Sequence, residues 1–204
     1  MLDALRIPLP EIFAVVAAVS FAAGLNVYAT ALFLGLLARF GNVPLSPGLL
    51  PLGTWPVIVV CAVLFAMEFF ADKAPAFDMI WNALHTFVRV PAAALMAYAG
   101  TRQLTPREQV LAVGLAAVIA LAAHGGKTAV RAAVTPSPEP ISNVSLSMGE
   151  DILAVGLTWL ATRHPYAAGA LVLFLLLVTG LVVRYFVRTI AKLFRLRPGA
   201  EWRR

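Results

Sequence analysis

Residues 167–183 read AAGALVLFLLLVTGLVV, a stretch without a single charge. A helix crossing a bilayer needs about 20 predominantly apolar residues, so this stretch predicts a membrane span. Working outward, further apolar runs occupy 12–23, 25–38, 55–71, 83–100, 109–123 and 152–161. The whole chain of 204 residues is 61% apolar and 13% charged, with a mean hydropathy of +0.86. A soluble domain is about half apolar and about a quarter charged. This chain has too few charges to cover a water-facing surface, which excludes a disordered tail, a secreted disulfide scaffold and an ordinary cytosolic enzyme. Cys61 is the single cysteine, so neither an intrachain disulfide nor a thiolate metal site can form.

The expected fold is all-α: a polytopic transmembrane helix bundle of about six spans. Residues 12–23, which meet the next run at Gly24-Leu25-Asn26, are read as an N-terminal half-span or re-entrant helix, because glycine and asparagine break or bend helices there. Residues 1–190 form a single transmembrane domain and 191–204 a basic cytoplasmic tail. Arg184, Arg188, Lys192 and Arg195, spaced by four, four and three, share one helical face, and Arg197, Arg203 and Arg204 follow. A basic stripe leaving a span is most simply an anchor on anionic headgroups of the bilayer. The net charge of +6 therefore points to lipid and not to nucleic acid.

A cytoplasmic tail sets the relative sides. Residues 41–54, 101–106 and 163–165 fall on one face, although Arg102 and Arg107 there run against the positive-inside tendency. Asn26, Asp72, Lys73, Asp78, His124, Lys127, Asn143, Glu150 and Asp151 fall at the other. Polar chemistry is collected at one end. A faint internal repeat sets 65–73 against 119–127, and Gly24-Leu25-Asn26 against Gly149-Glu150-Asp151. Duplicated halves with broken helices are common in transporters.

Several groups carry chemistry. Glu68 and Asp72, four apart, put two carboxylates on one helical face, with Lys73 beside them and Pro75 ending the helix. Glu68 lies about a turn inside an apolar run, where a charge is costly unless paired or hydrated. A salt-bridged helix end and a cation- or proton-handling pair both fit. Asp78, Asn82, His85 and Arg89 then form one polar seam, with Pro91 expected to kink the span. Such a seam must face protein or water and not lipid. His124, Lys127 and Arg131 share a face around Gly125-Gly126, which lacks the spacing of a nucleotide loop. Ser147 and Glu150 have capping-box spacing ahead of the run at 152, after a segment whose prolines at 136, 138 and 140 forbid a helix. Asp151 is left without a capping role, and Asn143-Val144-Ser145 is a chance glycosylation match on an inner loop.

These groups taken together have a family likeness. Gly24 to Thr30, Glu68 with Asp72-Lys73-Ala74-Pro75 and Asp78, Trp81, His85 with Arg89, His124 with Lys127 and Arg131, Pro138-Glu139-Pro140 with Ser142-Asn143, and Ser147 with Glu150-Asp151 resemble the bacterial membrane family catalogued as domain of unknown function four-one-two-six. The resemblance covers roughly residues 20 to 165. It implies a multi-span protein of the bacterial inner membrane and assigns no reaction. The Glu-x-x-x-Asp-Lys run is also distantly similar to an acidic motif of cation/proton exchangers, with Ala71 in place of its glycine and one extra residue.

The functional expectation is a transporter or channel-like permease for an ion, a small polar solute or an anionic lipid headgroup, with proton coupling through the titratable groups. Its binding residues would be Asn26, Glu68, Asp72, Lys73, Asp78, His85, Arg89, His124, Lys127, Arg131, Asn143, Glu150 and Asp151. A membrane enzyme acting on a phosphorylated lipid, with His85 or His124 as acid/base, is one alternative. A non-catalytic structural or assembly protein is the other. No catalytic motif is apparent and no cofactor is called for; the metal content and the oligomeric state stay open.

Overall fold

The computed structural model describes residues 7–41, 43–71, 75–134 and 140–195, leaving aside the side chains of 75–83, 132–134, 140–143, 190 and 192–195. Within these residues every regular element is helical: α1 (Leu9–Leu25), α2 (Val27–Phe40), a 3-10 helix (Pro47–Gly53), α3 (Trp55–Ala71), α4 (Pro75–Gly100), α5 (Pro106–Val134), α6 (Pro140–Arg163) and α7 (Pro165–Arg195). The all-α expectation holds.

Proline explains many of the starts. Helices α4, α5, α6 and α7 all open on it, where its missing N–H costs nothing and its φ is already helical. Thr105 and Glu108 then close a capping box at the head of α5: the Glu108 carboxylate accepts from the Thr105 N–H at 3.0 Å, and the Thr105 hydroxyl accepts from the Glu108 N–H at 3.4 Å. The box expected at Ser147 and Glu150 is absent. Helix α6 begins at Pro140, so both residues are helix-interior and need another explanation. For the same reason the echo of Gly24-Leu25-Asn26 in 149–151 fails: the first breaks a helix and the second lies inside one. Helix α4 runs on through Pro91, and α5 runs unbroken through Gly125-Gly126. Gly126 serves close approach, since a Cβ there would sit 2.6 Å from Thr179 Cγ2 of α7.

Three helices are long and apolar enough to cross a membrane, over Pro106–Arg131, Val144–Arg163 and Pro165–Thr189. The 3-10 helix and α3, bent by 69°, form a fourth candidate as a pair. The polarity of the fold agrees with them. Phe87 is 81% exposed while Arg89, two residues on, is 0% exposed; Val59, Val63, Phe70, Leu173, Phe174 and Leu177 are exposed as well. Charges inside and bare apolar side chains outside reverse the arrangement of a soluble protein. This is a membrane protein.

Helix α1, with 17 residues, and α2, with 14, measure about 25 and 21 Å, short of the ~30 Å hydrocarbon core. Yet α1 is the hub, packed against α2, α4, α5, α6 and α7. Its first turns meet the end of α4 and the start of α5 through Ile12, Val16, Ala97, Ala112 and Ala116, and Glu11 lines a hollow with Arg163, His164 and Tyr166. The link from α2 to α3 lies at that same end, where Gly48 sits on the Ala99 backbone and Gly35 on Leu52. So α1 runs inward, stops at Asn26, and α2 returns. The pair is a helical hairpin broken at Asn26, and its apex lies deep in the bundle.

Candidate functional site

Asn26 makes that apex. With φ −148° and ψ 102° it is extended backbone between two helices. Its Oδ1 accepts from the Ala29 N–H at 2.9 Å, capping α2, and its backbone carbonyl accepts from the Thr30 hydroxyl at 2.8 Å. Its Nδ2 donates to Asp151 Oδ1 of α6 at 2.8 Å. The side chain is fully buried, and its placement is explained by the break it creates.

Around the apex the seams of four helices converge. The Arg89 guanidinium of α4 donates through Nη2 to Oε1 of Glu68 on α3, with both side chains at 0% exposure. Lys127 of α5 stands 3.7 Å from the same Glu68 oxygen and 3.2 Å from Glu150 Oε2 on α6. It also donates to the Leu25 carbonyl at 3.2 Å. Arg131 grips Glu150 in a two-pronged contact, Nη2 to Oε2 at 2.6 Å and Nε to Oε1 at 3.3 Å, the geometry that makes arginine–carboxylate pairs strong. Among the described residues, three carboxylates (Glu68, Glu150, Asp151) thus stand beside three fixed cations (Arg89, Lys127, Arg131).

The histidines are tied in. Arg89 Nη1 lies 2.7 Å from His124 Nδ1, and a guanidinium only donates. His124 Nδ1 therefore accepts, which fixes a neutral ring with its proton on Nε2. That proton faces the Thr86 hydroxyl at 2.7 Å. His85 meets the Tyr28 hydroxyl of α2 through Nε2 at 3.0 Å, with the two rings edge to face at 5.6 Å.

Depth follows from helical rise. Arg89 precedes the end of α4 by about 16 Å, Asp151 the end of α6 by about 18 Å, and Glu68 follows the start of α3 by about 20 Å. These three groups therefore lie well inside their helices and not at the helix ends. An ionisable group buried among apolar helices is expensive unless paired, and Glu68 and Arg89 are paired.

The cluster brings together Asn26, Glu68, His85, Arg89, His124, Lys127, Arg131, Glu150 and Asp151 from the predicted set. Asp72 and Lys73 lie outside the described residues, and Asp78 and Asn143 lie in α4 and α6 with side chains outside the described ones. Sequence reasoning missed three participants and one buried hydroxyl on α6. Thr86, three before Arg89, shares its helical face and was legible by spacing. Tyr28 sits within the Gly24–Thr30 run but carried no assigned role. The Leu25 carbonyl is a backbone group, which no side-chain pattern reveals. Ser147, fully buried with no hydrogen-bond partner for its hydroxyl among the described residues, was hidden by the capping reading. Among the described residues no group of three or more His, Cys, Asp and Glu side chains is placed to hold a metal ion.

The family described as Domain of unknown function (DUF4126) matches residues 13–185, and the chain belongs to that family. No curated protein matches, and neither does any solved structure.

Proposed function

We propose that this DUF4126 protein is a small permease of a cytoplasmic membrane, in which the buried ion-pair cluster is both binding site and closed gate. The single observation that carries the reading is the position of Glu68 and Arg89: paired, wholly buried, and beside the apex of a broken helix pair. Buried ion pairs are weak stabilisers, and apolar replacements of similar volume often do as well or better. Six ionisable groups gathered between the helices therefore call for a use beyond holding helices together. Broken helices that end near the midplane are where transporters place their sites. Passage through this closed arrangement requires Glu68 to part from Arg89 or Lys127, so the pairs themselves form the barrier. Arg184 and Arg188 follow the apolar part of α7 beyond the cluster, and the positive-inside tendency then turns the cluster end toward the cytoplasm.

The test is flux. Purified full-length protein in vesicles, with an entrapped pH-sensitive dye and imposed gradients of proton, sodium, potassium or phosphate, should move at least one of these faster than protein-free vesicles. Glu68→Gln, checked for retained folding, should slow that flux by about tenfold or more, a barrier increase of about 1.4 kcal/mol. Folded protein that moves none of the four would overturn the proposal. The structural alternative draws on the mutual ion pairs of Glu68, Arg89, Lys127, Arg131 and Glu150. It predicts no flux, together with thermal stability that falls in Glu68→Gln.

A further inference from the structure

At the opposite end of the bundle from the cluster, α2 closes on Arg39 and Phe40, and glycines bring the following 3-10 helix down upon it. A Cβ on Gly35 would lie 2.5 Å from the Leu52 carbonyl oxygen, and one on Gly53 would lie 3.0 Å from the Ala38 Cβ. This close approach carries the Gly53 carbonyl to the Arg39 guanidinium, which donates to it through Nη1 at 3.2 Å. Trp55, at the head of α3, lies under the guanidinium, with Arg39 Cζ 4.4 Å from its ring centroid. Phe40 packs edge to face against Trp55 at 6.2 Å. Arg39 is therefore held by neutral groups, and among the described residues no carboxylate pairs with it. A guanidinium offers five N–H donors, of which the Gly53 contact uses one.

The surroundings of this cation are those of a bilayer boundary. Beside the 69° corner between the 3-10 helix and α3 lies a hollow of about 540 Å³, lined by Ala38, Arg39, Phe40, Leu50, Gly53 and Thr54. Trp55, Tyr98, Trp159 and Tyr166 are exposed and stand at or near the loop ends of α3, α4, α6 and α7. Tryptophan and tyrosine collect at membrane–water interfaces, so these four mark the headgroup level. Phe40 and Leu50, 66% and 50% exposed, leave bare apolar walls next to the guanidinium. A fixed cation with unspent donors beside such walls is complementary to an anion that carries a hydrocarbon part.

We infer that this hollow seats the phosphate of an anionic phospholipid, with Arg39 holding phosphate oxygens and Phe40 and Leu50 meeting the chains. The guanidinium fork matches phosphate geometry. The headgroup class follows from the lining, which holds a cation and no carboxylate, so nothing in the hollow answers an ammonium. The Trp55 face that could receive a choline carries Arg39 instead. The site is separate from the basic face of α7 and independent of the permease reading.

The experiment uses the full-length protein with Trp55 as its sole tryptophan, through Trp81→Phe, Trp159→Phe and Trp202→Phe, in neutral detergent micelles. Phosphatidylglycerol or phosphatidylcholine with brominated chains quenches a tryptophan that it touches, which makes the reading local to Trp55. Phosphatidylglycerol should half-quench Trp55 at a mole fraction about fivefold below that of phosphatidylcholine, the worth of one basic residue at an anionic surface. Arg39→Gln should abolish that difference. Arg39→Lys, which keeps the charge without the fork, should retain part of it, and gives the comparison should the glutamine variant fail to fold. Sodium phosphate in excess should leave the quenching unchanged, because it lacks the apolar half. Equal quenching by the two lipids in the parent, or a preference that survives Arg39→Gln, would overturn the inference. Displacement of the lipid by free phosphate would overturn it as well.

Discussion

Helix α5 is packed in two different ways along its length. In its first part Ala112, Ala116, Ala120 and Ala123 form a fully buried small-residue face that lets α1 approach until Gly24 touches the Ala120 backbone. In its second part the same helix meets α1, α3, α4 and α6 through His124, Lys127 and Arg131. Lipid tails are as apolar as leucine, so helices gain little from the hydrophobic effect by meeting each other in a membrane. Close van der Waals contact and polar pairing remain, and this helix uses one in each half. The alanine half depends on shape and tolerates no added volume. The charged half depends on every partner being present.

The largest test of that contrast breaks a pair. Arg89→Met leaves Glu68 buried opposite too little positive charge and should cost about 3–5 kcal/mol in detergent unfolding, and the double variant Glu68→Met with Arg89→Met should recover most of it. Equal losses in single and double variants would mean that shape, not charge, rules this half too. Next comes added volume in the alanine half. A Cβ on Gly24 would lie 2.5 Å from the Ala120 carbonyl oxygen and 2.7 Å from the Ala123 Cβ, so Gly24→Ala should destabilise by about 1–3 kcal/mol; an unchanged midpoint would show that α1 and α5 can separate freely. Where the halves meet, Asn26→Ala removes the cap of α2 and the Asp151 contact, for a loss of about 1–2 kcal/mol read by the same denaturation. The smallest effect is expected off both faces. Nothing lies within 4 Å of a Cβ at Gly114, so Gly114→Ala should raise stability by about 0.5–1 kcal/mol, and a loss would reveal a neighbour on that side of α5.

Much of the site was legible because helical spacing is a local property. His124, Lys127 and Arg131 were placed on one face by steps of three and four, as were His85 and Arg89, and both faces do turn into the cluster. Asn26 was legible as a break, since Gly-Leu-Asn between two apolar runs has few other readings. Glu150 was misread for a physical reason: Ser-x-x-Glu is a helix-start signal only if the helix starts there, and Pro140 had already started it. The same motif type, Thr105-x-x-Glu108, does cap α5, directly after a loop.

Composition and periodicity alone determined that this chain folds as helices in lipid and that its charges must be hidden from it, because an apolar slab offers backbone and side-chain polar groups no solvent. Which charges meet was decided only in three dimensions. Glu68 and Arg89 lie 21 positions apart, Leu25 and Lys127 lie 102 apart, and Asn26 and Asp151 lie 125 apart. Partners at such separations are set by how α1 turns back at Asn26 and which helices close around it, a matter of packing that no local pattern encodes.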